Sequence, residues 1–363
     1  MNMIHGRVGL QQRILPEYRV EFFDSLATDC LQGLSVFAGN PRQDEAVETA
    51  KGLSIANYTR AHNLHLFRGK AYCYWQLGLI PWLHRWNPHV LIMEINLRNL
   101  SNPTSVRWMR ARGRPVIGWG LGIPGGGSFS TLLHRSRLHA FDAVIAYSET
   151  GAQQYIQAGM NSERVFVAAN AVTPRPTMPP IDRPSTYRED TPEILFVGRL
   201  QPRKRVDTLL YALAALPPGK QPHLVIIGAG PDRTRLEMLA WEVYPHTTFV
   251  GAKHGAELEP YYAAADLFIL PGTGGLAVQQ AMAHSLPVIV GQADGTQSEL
   301  VHNENGWVLP DDSLRTLTST IEQALADLPA LRQKGLASYR IVSEEVNVEA
   351  MVQTFIRAVE SVL

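Results

Sequence analysis

The stretch Ile194-Leu-Phe-Val-Gly-Arg-Leu-Gln-Pro-Arg-Lys-Arg-Val-Asp207 is a short apolar run that stops at glycine and hands over to a helix beside clustered cations. A second stretch repeats the pattern: Asp266-Leu-Phe-Ile-Leu-Pro-Gly-Thr-Gly-Gly-Leu-Ala-Val-Gln-Gln-Ala-Met-Ala283, with Leu286-Pro-Val-Ile-Val290 behind it. A strand that feeds a helix through glycine is how a parallel α/β sheet builds an anion pocket. Glycine lets the backbone approach, and the helix N-terminus offers unpaired N–H groups to a phosphate.

Outward from these stretches the same rhythm continues. Further strands are expected near 224–227, 248–250, 267–270 and 288–290, and helices near 206–216, 232–242, 257–264, 276–284 and 313–327. Before them, apolar runs at 34–37, 90–93, 116–119, 143–146 and 165–167, with a weaker one at 7–10, alternate with helix-like segments. Such runs predict a parallel sheet covered on both faces. Residues 171–192 hold six prolines and cannot sustain a helix or a central strand, so they read as an extended surface connector.

The expected organisation is therefore an α/β chain of two doubly wound, Rossmann-like domains, 1–170 and 193–345, joined by the linker 171–192. Residues 346–363 place Met351, Val352, Phe355, Ile356, Val359 and Val362 at helical spacing and end the chain as an amphipathic helix.

A chain of 363 residues is long enough for two such cores, and 45% hydrophobic with 18% charged residues describes a globular protein. Cys30 and Cys73 are the only cysteines, too few for a disulfide framework or a zinc site. No run approaches the roughly 18 apolar residues that span a bilayer, and the first residues lack the apolar core of a secretion signal, so a cytoplasmic location is expected. Net charge is zero overall, yet residues 1–170 carry +6 and residues 171–363 carry −6. The basic half suits an anionic membrane face or a pyrophosphate-bearing substrate; chance and helix-end cations fit equally. No basic tract interleaved with aromatics appears, so nucleic acid is not an expected partner.

In order and spacing, the two glycine stretches resemble the donor-binding half of glycosyltransferases of the GT-B fold, in particular the large retaining family 4. The resemblance implies two Rossmann-like domains facing a cleft, a nucleotide-sugar donor, no metal or other cofactor, and a glycan, lipid-linked or small-molecule acceptor held by the first domain. It implies that Arg199 and Lys204, just past Gly198, neutralise the donor diphosphate; as fixed cations they would stabilise the charge gained by the departing nucleoside diphosphate. A solvated loop is the plainer reading of this charge run. Gly228 and Gly230 mark the nucleotide side, and Val250, Ala252 and Lys253 lie where similar proteins hold the base through backbone groups. The backbone of Gly274, Gly275 and Leu276 would reach the diphosphate.

Similar sequences carry two glutamates in the second stretch, at the positions of Gly272 and Gln280. Gln280 retains an amide for ribose hydroxyls, while the sugar end is left to Thr273 and backbone groups. Glu299 is either a stand-in carboxylate or a charge at a helix start. In the first domain, Pro16-Glu-Tyr-Arg19 resembles the entry to the first helix of many bacterial members, which would turn Arg13, Tyr18 and Arg19 toward the acceptor. Glu94 ends a strand, where doubly wound sheets place their sites, and Gly120 and Gly122 follow the next strand, with Leu121 standing where similar proteins often have histidine. Tyr72, Trp75, Leu79, Trp82, Leu83 and Trp86 read as one helical face, either core or, beside Arg107, Arg110, Arg112 and Arg114, a surface resting on the inner face of the membrane.

Glycosyl transfer is the expected activity, probing it against two rivals: a non-catalytic nucleotide-sugar-binding subunit, which the missing carboxylates favour, and a nucleotide-sugar epimerase, which shares the double-domain plan.

Overall fold

Short strands with buried Val, Ile, Leu and Phe on both faces need helices above and below, and the chain supplies them twice. The computed structural model describes residues 3–42, 45, 47–123, 138–274, 276–292 and 296–363. It divides into two units, Met1–Val172 with Val348–Leu363, and Thr173–Asn347.

In the first unit the strands are β1 (Val8–Ile14), β2 (Leu34–Gly39), β3 (Asn57–Arg60), β4 (His62–Leu66), β5 (Cys73–Leu77), β6 (Val90–Glu94), β7 (Val116–Gly120), β8 (Ala143–Ala146) and β9 (Val165–Val167). The helices among the described residues are α1 (Val20–Thr28), α2 (Leu79–Trp86), α3 (Asn102–Arg110) and α4 (Glu149–Gln157). Seven strands form a parallel sheet in the order β3-β2-β1-β6-β7-β8-β9, while β4 and β5 pair as an antiparallel hairpin. The strand order reverses between β1 and β6, which pair from Val8↔Val90 to Gln11↔Met93. Register with β2 slips between Gln12 and Ile14, so Arg13 sits in an irregularity at the carboxyl end of β1.

In the second unit the strands are β10 (Glu193–Val197), β11 (His223–Ile227), β12 (Thr247–Gly251), β13 (Leu267–Leu270), β14 (Val288–Val290) and β15 (Gly306–Val308). The helices are α5 (Val206–Ala214), α6 (Arg233–Val243), α7 (Glu259–Ala264), α8 (Leu276–Ala283), α9 (Thr296–Leu300), α10 (Leu314–Ala326) and α11 (Leu328–Glu344). The parallel order β12-β11-β10-β13-β14-β15 reverses between β10 and β13. Both units are therefore Rossmann-like sheets, each with one topological switch point. Ligands of open α/β sheets bind outside the strand carboxyl ends at such points.

The last helix, α12 (Val348–Glu360), returns to the first unit. Phe355 meets Phe22 of α1 edge-on at 4.8 Å and Trp119 of β7 at 4.9 Å, and Met351, Val352, Ile356 and Val359 join the same core.

The proline-rich residues 173–192 belong to the second unit, with one 3-10 turn at Arg188–Asp190. They are latched by Arg183, whose guanidinium donates to the carbonyls of Tyr262, Ala263, Ala265, His284 and Ser285. Burial, and then Arg332 nearby, push the Arg183 pKa down to about 10.

One expectation needs correction. Tyr72 to Trp86 is not a single helix, because residues 73–77 form β5 and Gly78, at φ 90°, turns the chain into α2. The spacing coincides with a helical one only because strand and helix meet there. Pro81 is tolerated because it falls in the first turn of α2, where its missing N–H has no intrahelical partner. Trp82 stacks on Phe37 at 5.0 Å and donates to Ser35 Oγ at 2.9 Å, and Leu79 and Leu83 are core, leaving Trp75 half-exposed. The nearby cations are engaged locally as well: Arg110 pairs with Asp142 at 2.9 Å, and Arg112 lies 3.7 Å over the Trp108 ring. The seventeen-residue α11 and the short β15, β3 and β4 lie outside the expected elements.

Candidate active site

In the second unit the switch point gathers the loops after β10, β11 and β13. Gly198 N–H donates to Ile227 O at 2.9 Å, Leu200 N–H to Ala229 O at 2.9 Å, and Gly228 N–H to Gly251 O at 2.8 Å, so the turns are knitted backbone to backbone. The contact is too close for a side chain: a Cβ at Gly228, which has φ 150°, would overlap Gly198 O. Gly230 meets Leu200 O in the same way.

Lys204 enters this cluster from the 3-10 turn Pro202–Lys204. It is only 9% exposed, and its Nζ donates to Thr273 O at 2.5 Å. Thr273 N–H returns a bond to Arg203 O at 3.1 Å, and Arg203 Nη1 donates to Thr273 Oγ1 at 2.9 Å. Burial, and next the charge of Arg203, bring the Lys204 pKa down to about 8. Among the described residues no carboxylate pairs with its ammonium. A buried cation without a counter-charge is costly, and an incoming anion relieves that cost.

At Gly272, where the resemblance implied a glutamate, a Cβ would run into Arg203 O and the Lys204 backbone. The loop carrying the lysine occupies the space that a side chain needs. A Cβ on Gly274 would fall on Lys204 Nζ itself. Gln280, on α8, accepts from Tyr262 OH at 3.3 Å through Oε1, which leaves its NH2 group for another partner. Arg199 is exposed at the same strand end, Leu276 and Thr273 are part-exposed, and Gly275 lies outside the described residues. Val250 and Ala252 flank the end of β12; Lys253 points away into a 2.8 Å ion pair with Glu257. Glu299 sits half-buried on α9. The sequence reading passed over Gln297 on the same helix, which is 1% exposed, donates to Gly272 O at 3.3 Å, and has Oε1 without a partner among the described residues.

In the first unit the switch point is a polar cavity of about 490 Å³. Glu94, at the end of β6, lines it and accepts from Arg13 N–H at 3.2 Å and Asn96 Nδ2 at 3.1 Å. Arg13 is paired with Glu45 at 2.6 Å. Beneath lies a buried amide network: Gln11 Nε2 and Asn99 Nδ2 both donate to Gln76 Oε1, at 3.0 and 3.1 Å, and Gln76 Nε2 donates to Gln12 O at 2.8 Å. Ser105 Oγ donates to Gln11 Oε1 at 2.5 Å, and Asn102 Nδ2 to Glu94 O at 2.9 Å. This network ties β1, β5, β6 and α3 into one floor. The sequence reading missed it, because an isolated Gln or Asn carries no signal of its partner.

Of the residues expected to face an acceptor, Tyr18 is 41% exposed, whereas Arg19 is 3% exposed and its guanidinium is used within the unit. It lies 5.0 Å over the Trp119 ring and donates to Asn170 and to Met351 Sδ. Gly120 and Gly122 pack against α4: Gly122 N–H donates to Tyr155 OH at 3.0 Å, and a Cβ on Gly120 would meet that hydroxyl.

The family model for Glycosyl transferases group 1 matches residues 178–336. A GDP-mannose-dependent alpha-mannosyltransferase of Mycobacterium tuberculosis is 37% identical over 157 residues, 42% of this chain and 38% of that protein. A GDP-mannose-dependent alpha-(1-6)-phosphatidylinositol monomannoside mannosyltransferase of the same organism is 29% identical over 213 residues, 55% of this chain and 54% of that protein. The chain thus spans about two fifths to one half of these curated relatives. Over nearly the whole length, the sucrose-phosphate synthase of Thermosynechococcus elongatus superposes with a TM-score of 0.70 at 18% identity, covering 98% of each chain. That likeness speaks for the fold alone, two Rossmann-like units of the GT-B type. With the match over most of the second unit, residues 178–336 are a glycosyl transferases group 1 domain.

Proposed function

We propose that this protein transfers a sugar from a nucleoside diphosphate donor to an acceptor hydroxyl, with retention of the anomeric configuration as in family 4. The observation that carries the reading is Lys204: a buried ammonium with no described carboxylate partner, at the switch point of a glycosyl transferases group 1 domain. Such a group awaits an anion, and the glycine turns let the donor diphosphate approach the backbone. Arg199 adds a second cation from the exposed side. Gln280 takes the ribose hydroxyls through its free NH2 group, and Thr273 with Gln297 borders the sugar.

As the bond from the anomeric carbon to the phosphate oxygen breaks, the electron pair leaves with the nucleoside diphosphate, whose growing charge Lys204 and Arg199 stabilise. The acceptor hydroxyl bonds to the same carbon and gives its proton to the departing phosphate. Held in the first unit, the acceptor donates a hydrogen bond to Glu94. No metal ion takes part, since the two cations supply the positive charge. GDP-mannose, which the names of both curated relatives specify, is the first donor to test.

The experiment incubates the full chain with GDP-mannose and with UDP-, dTDP- and ADP-sugars, with and without EDTA, and follows nucleotide release and sugar transfer to an acceptor pool. Nucleotide release that depends on acceptor and persists in EDTA is expected. Donor conversion without acceptor would identify an epimerase. Tight nucleotide binding without turnover favours the binding subunit, to which glycine and glutamine in place of glutamates at 272 and 280 point.

A further inference from the structure

The polar cavity of the first unit is built for an anion. Arginines reach it from four separate segments: Arg13 near the end of β1, Arg42 after β2, Arg68 after β4 and Arg98 after β6. Only two glutamates line it among the described residues. Glu45 is bonded to both Arg13 and Arg42, at 2.6 and 3.3 Å. Glu94 takes its hydrogen bonds from neutral donors, the Arg13 backbone and Asn96. Among the described residues, neither Arg68 nor Arg98 pairs with a carboxylate.

Two of these cations are also set in place before any ligand arrives. Arg42 and Arg98 lie 4.6 and 5.9 Å from the ring centroid of Tyr72, and the Tyr72 hydroxyl is held by His65 Nδ1 at 3.0 Å. The Gln11, Gln76 and Asn99 network ties β1 and β5 to the segment after β6 that carries Arg98. A planar guanidinium presents a fork of donors that matches phosphate or carboxylate oxygens, and a pair of them makes a specific anion site. A neutral sugar would leave the Arg68 and Arg98 charges uncompensated, whereas an anion would balance them.

We infer that this cavity binds an anionic group of the sugar acceptor, a phosphate or carboxylate held by Arg68 and Arg98 over Tyr72, which brings a neighbouring acceptor hydroxyl to Glu94. The inference rests on the proposed glycosyl transfer for the word acceptor; the anion site itself stands on the first unit alone. One chemistry has two sources, a soluble sugar phosphate or a lipid phosphate headgroup.

The test titrates the full chain with glucose, glucose 6-phosphate, and vesicles of phosphatidylcholine with or without phosphatidic acid. It is repeated on Arg68→Ala/Arg98→Ala, on Arg68→Lys/Arg98→Lys and on Lys204→Ala, with GDP and UDP binding recorded for every sample. Expected is binding of glucose 6-phosphate or of the phosphatidic acid vesicles, but not of glucose. It should weaken about tenfold or more in the double alanine variant, less in the double lysine variant, and persist in Lys204→Ala. Whichever anionic probe binds names the source. Equal binding of glucose, affinity kept within about twofold in the double alanine variant, or no anionic binding by protein that binds nucleotide overturns the inference. So does anion binding lost in Lys204→Ala alone, which would put the probe in the second unit. Failure of every sample to bind nucleotide counts against the proposed function and leaves the reading of the anionic probes intact.

Discussion

The two switch points solve the same problem with different materials. In the second unit the site is mostly backbone: Gly198, Gly228, Gly230, Gly272 and Gly274 bring main chains into contact around one buried ammonium. In the first unit it is mostly side chain, with arginines from four segments lining one cavity. A backbone site can hold what many ligands share, such as a diphosphate, and it survives the loss of individual side chains. A side-chain site encodes choice. At Gly272 and Gly274 the surroundings of Lys204 are accordingly set by main-chain packing and not by side chains.

Breaking the backbone site should have the largest effect. Gly228→Ala sets a Cβ against Gly198 O, and we expect a loss of about 3 kcal/mol or more from the second unit in denaturant unfolding, with the first unit unchanged. Equal destabilisation of both units would break the comparison. Lys204→Ala should next lower turnover about a hundredfold, some 3 kcal/mol of transition-state stabilisation, without destabilising the fold. Steady-state kinetics beside thermal unfolding will separate the two effects.

Gln76→Leu removes a shared acceptor and strands the amides of Gln11 and Asn99, at about 2 kcal/mol from the first unit. If nucleotide affinity fell along with it, the sites would not be built independently. The smallest effect is one of pH. With its pKa near 8 in the free protein, Lys204 is charged below that value and loses its proton above it. Diphosphate affinity should be flat below pH 8 and then fall up to about tenfold per unit, as calorimetry across pH 6.5–9.5 will show. Stability runs the other way. Between about 8 and the ordinary lysine value the unfolded chain binds more protons than the folded one, so this group's contribution to the stability of the ligand-free fold rises with pH.

The contrast in materials also explains what could be read beforehand. Glycine acts where it stands, so Gly198, Gly228 and Gly274 after apolar runs announced strand ends and close-packed turns. Ile194 to Val197 and Leu267 to Leu270 were legible for the same local reason. Arg42, Arg68 and Arg98 carry no local mark. Each follows a strand by two to four residues, and only the order β3-β2-β1-β6 and the β4–β5 hairpin bring them to one cavity. The surroundings of Arg19 were not legible, because an arginine entering a helix looks exposed in sequence, whereas Trp119 and α12 enclose it here. The 72–86 segment misled because Trp75 on a strand and Trp82 on a helix happened to share a spacing.

The return of α12 to the first unit has a consequence for synthesis. Phe355 and its neighbours on α12 complete a core whose remaining members were made before residue 172, so 175 residues of the second unit must be translated in between. At ordinary elongation rates that is roughly 9–35 s during which the nascent first unit exposes the groove around Phe22 and Trp119, while the second unit already has everything it needs to fold. The second unit, though it emerges later, can thus finish folding before the first.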